Sequence, residues 1–118
     1  MKYMIMNYVR PRGFASEGTP ETSADGPAWG AYTQAMVDAG VLVGGEVLGA
    51  SDTATTVRVH DGRRDVHDGP YADTKEQLGG FYLIDVPDMD PALEWAARNP
   101  AASTGAVEVR PVQRRSAA

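Results

Sequence analysis

Cysteine is missing from all 118 residues. That excludes disulfide staples, thiolate metal sites and cysteine nucleophiles, and it is compatible with a reducing compartment. Long apolar runs are missing too: no stretch approaches the roughly 20 residues that a membrane helix needs. The opening Met1–Val9 is a short apolar run interrupted by Asn7. It leads into Arg10-Pro11-Arg12 and not into a small-residue cleavage site, so no signal peptide and no membrane contact are expected. The expected location is cytoplasmic. Positive charge is also in short supply, with 11 Lys and Arg against 16 Asp and Glu and a net charge of −5. Nucleic-acid binding relies on cations displacing counterions from phosphates, so no direct nucleic-acid surface is expected. The basic pairs Arg63-Arg64 and Arg114-Arg115 are too small to change that.

What is present suits one domain, because a chain of this length can bury roughly two-thirds of its unfolded surface without staples. The domain is expected over residues 1–112, with a polar tail at 113–118 that frays. Residues 2–9 alternate as a strand with Tyr3, Ile5, Asn7 and Val9 on one face and Met4, Met6 and Tyr8 on the other. Both faces are largely apolar, which calls for cover on both sides. Residues 10–26 are rich in Gly, Pro, Ser, Thr and Glu and form a long loop, either functional or mobile.

A helix is expected from Pro27 to Ala39, buried along Trp29, Tyr32 and Met36 and stopped by a left-handed Gly40. Val41–Leu48 reads as a strand in which Gly44-Gly45 marks a bulge or a close backbone approach. Thr55–His60 and Arg63–His67 flank Asp61-Gly62, the dipeptide of a type I′ hairpin turn. Gly79-Gly80 opens a strand through Val86. A second helix starts near Pro91 with Asp90 as its cap and carries Leu93, Trp95, Ala96 and Ala97. Val107–Arg110 supplies the last strand.

Strand, helix, strand, hairpin, strand, helix, strand is an α+β, ferredoxin-like plan: an antiparallel sheet with two helices on one face and an inserted β-hairpin. The other face stays apolar. Two such sheets packed together would cover it, so a homodimer is expected.

The run from Asp68-Gly69-Pro70-Tyr71 through Lys75-Glu76-Gln77-Leu78 to Phe81-Tyr82-Leu83-Ile84 closely resembles the signature of the DGPF branch of the YCII-related family. Met1–Met4, Ala39–Leu42, Ala54–Arg58 and Val107–Val112 are similar to that family as well. The resemblance implies a dimeric α+β barrel and little about activity. It also implies a possible partner, since some of the DGPF branch are encoded beside, or fused to, extracytoplasmic-function sigma factors. Other branches of the superfamily carry a histidine–aspartate dyad between sheet and helices. This chain departs from it: residues 27–40 hold no histidine, and the position before Pro100 is Asn99. Asparagine does not titrate near neutrality, so the dyad's acid–base mechanism does not carry over.

Candidate chemistry is therefore sparse, and no enzymatic activity is assigned. Asp68 could act as a base or orient a ligand, against a plain role in accepting backbone N–H bonds within its turn. Lys75 and Glu76 could overhang a pocket, the lysine fixing an acidic group, against a solvated turn with a local ion pair. Aromatic lining is available from Tyr3, Tyr8, Tyr32, Phe81 and Tyr82, and Tyr71 replaces the phenylalanine of the DGPF signature. The ligand-binding candidates are thus Tyr3, Tyr32, Tyr71, Lys75, Glu76 and Tyr82, with Asp68 and Lys75 as the catalytic ones. His60 and His67 belong to opposite ends of the hairpin, so no metal site is expected, and no cofactor motif is present. The expected function is binding of a small organic ligand between sheet and helices. A sigma-factor accessory and an enzyme of unassigned mechanism are the alternatives.

Overall fold

The computed structural model describes residues 1–10, 26–72 and 74–114. In chain order the elements are β1 (Lys2–Val9), α1 (Gly26–Asp38), β2 (Leu42–Val47), a 3-10 turn (Ser51–Thr53), β3 (Thr55–His60), β4 (Arg63–Asp68), β5 (Gln77–Asp85), α2 (Met89–Arg98), α3 (Ala101–Thr104) and β6 (Ala106–Pro111). Most of the long loop at 10–26, Asp73 and the end of the tail lie outside the described residues.

Four strands form one antiparallel sheet in the order β2-β5-β1-β6, the ferredoxin-like arrangement. Strand alternation decides what lies on each face. Tyr3, Ile5 and Asn7 of β1 stand beside Ile84, Tyr82 and Gly80 of β5 on the helix side. There Tyr3, Ile5, Tyr32, Met36, Ile84, Val86 and Ala92 form the core, and Ile5, Met36 and Ile84 are fully buried. Met4 and Met6 pair with Leu83 and Phe81 on the opposite, open face. No described residue of that face is fully buried.

Two backbone features explain how β2 joins this sheet. Its register with β5 shifts between Leu42 and Gly44, the bulge that paired glycines suggest. A Cβ at Gly45 would stand 2.5 Å from the Phe81 carbonyl oxygen, so the close approach requires glycine. Gly40, at φ 72°, ends α1 as expected.

Among the described residues, strands β3 and β4 pair only with each other. Asp61 and Gly62 have φ values of 50° and 74°, which is the type I′ geometry their sequence calls for. His60 stands opposite Arg63, whereas His67 stands opposite Thr56 at the far end of the ladder.

Several expectations at element ends are corrected. Asp88, not Asp90, caps α2: its Oδ1 accepts the Asp90 backbone N–H at 3.1 Å. The buried stripe of α2 is Ala92 and Ala96, whereas Leu93 is half in solvent. Strand β5 begins at Gln77, before the glycine pair, and Gly79 is the extra residue of a bulge opposite Asn7 and Tyr8. The short α3 follows Pro100 and was not expected. Among the described residues no helix is long and apolar enough to cross a membrane.

Candidate functional site

Between the sheet and the helices lies a cluster of amide and hydroxyl side chains. Asn7 comes from the inward face of β1, and Asn99 caps the C-terminus of α2; both are buried. An unpaired buried amide is costly, so each needs a partner. Asn99 Oδ1 accepts the Ala101 backbone N–H at 2.8 Å, which starts α3 and fixes the direction of the side chain. Its Nδ2 then donates to Asn7 Oδ1 at 2.6 Å. One side chain thereby joins β1, α2 and α3.

Two phenols extend the cluster. The Tyr32 hydroxyl, from α1, donates to the Trp95 carbonyl oxygen of α2 at 2.9 Å. Tyr32 meets the Tyr82 ring edge to face, with centroids 5.4 Å apart, and the Trp95 ring at 6.3 Å. The Tyr82 and Thr33 hydroxyls are 2.8 Å apart and share a hydrogen bond, while Thr33 Oγ1 also donates to the Trp29 carbonyl at 3.0 Å. Burial pushes the Tyr32 phenol well above its ordinary range, and the neighbouring Asn99 side chain opposes this only in part. The phenol therefore stays protonated near neutrality and acts as a donor. Arg98 closes the outer side, its guanidinium 4.3 Å from the Trp95 ring centroid. The cluster offers fixed donors and acceptors and no group that exchanges a proton near pH 7.

A concavity of about 610 Å³ lies elsewhere, at the root of the hairpin, lined by Leu48, Ser51, Thr55, Val57, Tyr71 and Leu78 among others. The structure thus divides the residues singled out from sequence. Tyr3, Tyr32 and Tyr82 share the helix side of the sheet, Tyr3 deep in the core with its hydroxyl 3.4 Å from Met1 Sδ. Tyr8 and Phe81 alternate onto the open face, so they do not line the same space within one subunit. Tyr71 is 76% exposed at the hairpin root, with the Arg58 guanidinium 5.0 Å from its ring centroid.

Asp68 ends β4 in solvent, opposite Thr55. Its turn is not held by its own oxygens. Thr56 Oγ1 donates to the Gly69 carbonyl at 2.8 Å, and the Gly69 N–H donates to Ala54 O at 2.8 Å. Lys75 is exposed and Glu76 half-buried just before β5, and no ion pair links them. Gln77 organises that turn instead, its Nε2 donating to the carbonyls of Ala72 and Thr74, both at 2.9 Å. Asp68, Tyr71, Lys75 and Glu76 are thus not brought together with Tyr32 and Tyr82.

Asn7, Thr33 and Asn99 were absent from the sequence-derived candidates. Asn7 carried a usable signal, because a lone amide on the inward face of an apolar strand must find a polar partner. Asn99 stands at the position before Pro100 where the resemblance puts an aspartate.

Residues 1–116 match the profile of the YCII-related domain. An uncharacterized protein of Rhizobium meliloti (strain 1021) is 45% identical over 84 residues, which cover 70% of this chain and 68% of that protein.

Proposed function

The chain belongs to the YCII-related domain family, and from that premise we propose that it is a homodimer binding a small organic molecule between sheet and helices. The observation that carries this reading is the convergence of Asn7, Asn99, Tyr32 and Tyr82 from four different elements. Amides and phenols aimed into one region, with aromatic walls from Tyr32, Tyr82 and Trp95, make the usual lining of a small-molecule site. They would recognise a planar ligand that packs on the rings and whose carbonyl or carboxyl oxygen replaces Thr33 Oγ1 as the acceptor of the Tyr82 hydroxyl.

Binding is favoured over acid–base catalysis because the Asn7 and Asn99 amides do not titrate and burial keeps the Tyr32 phenol protonated across neutral pH. The homodimer is supported by the open sheet face. Met4, Met6, Phe81 and Leu83 form a contiguous apolar patch there, and a second copy offers the same patch by symmetry.

A thermal-shift and NMR screen with aromatic acids and lactones tests the site. Expected is at least one binder whose chemical-shift changes map to Tyr32, Tyr82 and Asn99 and whose affinity falls about tenfold in Tyr82→Phe. Binders that map elsewhere, or that ignore Tyr82→Phe, would overturn the assignment.

A further inference from the structure

The β3–β4 hairpin presents an anomaly that neither the core nor the polar cluster explains. An isolated pair of strands is at best marginally stable in water. Apart from its root, this one makes no extensive contact with another of the described elements. Its register sorts the side chains into two unlike faces. Thr56, Arg58, His60, Arg63, Asp65 and His67 occupy one, a polar surface suited to solvent. Val57, Val59 and Val66 occupy the other, and they are 55%, 64% and 49% exposed. Three β-branched apolar residues thus form an exposed strip on one face of a projecting ribbon.

We infer that this hairpin is a dimerisation arm, its valine face packing on the open sheet face of a second copy of this chain. The inference rests on the homodimer reading and adds which segment completes the interface. Continuity is one reason. Leu78 lies opposite Tyr8 on β1, at the margin of the open face, and together with Leu48 and Val57 it lines the concavity at the hairpin root. Leu78, Leu48 and Val57 thus link the open sheet to the valines at the hairpin root, beside the polar Thr55–Asp68 pair.

Area is a second reason. Four strands about 4.8 Å apart and about six residues long give a footprint of about 400 Å². A stable interface buries about 800 Å² per partner. The hairpin adds roughly half as much again as the sheet, by the same spacing. Sheet and arm together reach about 600 Å², three-quarters of that figure, whereas the sheet alone reaches half. Charge is a third reason. Arg64, opposite Val59, is the cation of the valine face, and the open sheet face carries Glu46 and Glu108 at its two edge strands. Arms reaching across by symmetry would bring Arg64 to one of these carboxylates.

Dissociation constants from equilibrium sedimentation test the arm. The double variant Val59→Asp, Val66→Asp changes two side chains that the subunit leaves exposed, so the helical circular dichroism and urea unfolding of the subunit should be unchanged. Its dimer is expected to dissociate at least about 30-fold more readily than the unaltered dimer. His60→Asp adds charge beside Val59 on the opposite face and should shift the constant by less than about threefold. Amide exchange in β3 and β4 of the unaltered protein should slow as concentration rises. If the unaltered protein dimerises and the double variant does so equally tightly, the arm is refuted while the homodimer stands. If the unaltered protein stays single, the homodimer falls and the arm with it.

Discussion

The two faces of the four-stranded sheet are built from the same strands, yet they solve opposite problems. On the helix side Ile5, Ile84 and Met36 are fully buried, and the two polar residues that join them, Asn7 and Asn99, satisfy each other. On the open side the alternate residues of the same strands, Met4, Met6, Phe81 and Leu83, are apolar and only half-buried. One face is complete within the subunit and the other is not. The difference shows where a small domain settles its structure internally and where it leaves surface for another molecule.

The sharpest way to break that comparison is a matched pair of truncations on β1. Ile5→Ala, on the closed face, should cost about 3 kcal/mol in urea unfolding, since it deletes a fully buried branched side chain. Met6→Ala, one residue on, should cost the dissociated subunit less than about 1 kcal/mol. Equal losses would show that the open face is as buried as the closed one.

Asn99→Asp probes the polar part of the closed face. A carboxyl in that buried position has its pKa raised by desolvation. A raised folded-state pKa gives stability that is fully present below the unfolded value and lost as pH rises through the folded one. The variant should therefore be about 2 kcal/mol less stable than the unaltered protein at pH 7 and recover toward pH 4. A pH-independent difference would mean that water reaches Asn99. A smaller effect than that of Asn99→Asp belongs to Tyr32→Phe, which removes the hydrogen bond to Trp95 and should cost about 1 kcal/mol at neutral pH. Burial raises the Tyr32 pKa, so its contribution is present below the unfolded value and lost as pH rises past about 10. Alkaline unfolding of the variant should be correspondingly less steep.

Features set by local chemistry were legible in the sequence. Asp61-Gly62 dictates a type I′ turn with any partner, and β1 shows its alternation in eight consecutive residues. The start of α2 was misplaced by two residues because Asp88 and Asp90 are equally good caps and Pro91 favours the second; in the fold Pro91 is the third helical residue. The bulge at Gly79 and the four-residue α3 depend on how neighbouring segments pack, which no local pattern records.

The candidate site was half legible for the same reason. Tyr32 and Tyr82 could be named as aromatic lining, but the Asn7–Asn99 bond joins residues 92 positions apart. Lys75 and Glu76 are close to Tyr82 along the chain, yet they precede β5 whereas Tyr82 lies well within it. Proximity in sequence misled there because an extended strand carries its residues apart by about 3.3 Å each.

Equilibrium sedimentation of the unaltered protein across a micromolar concentration series reads the central claim, that the open face is closed by a second copy. A mass near twice 12.6 kDa, falling toward the single-chain value only on dilution, is the expected result. A mass of 12.6 kDa at every concentration would mean that the open face stays in water, and the contrast between the two faces would need another cause.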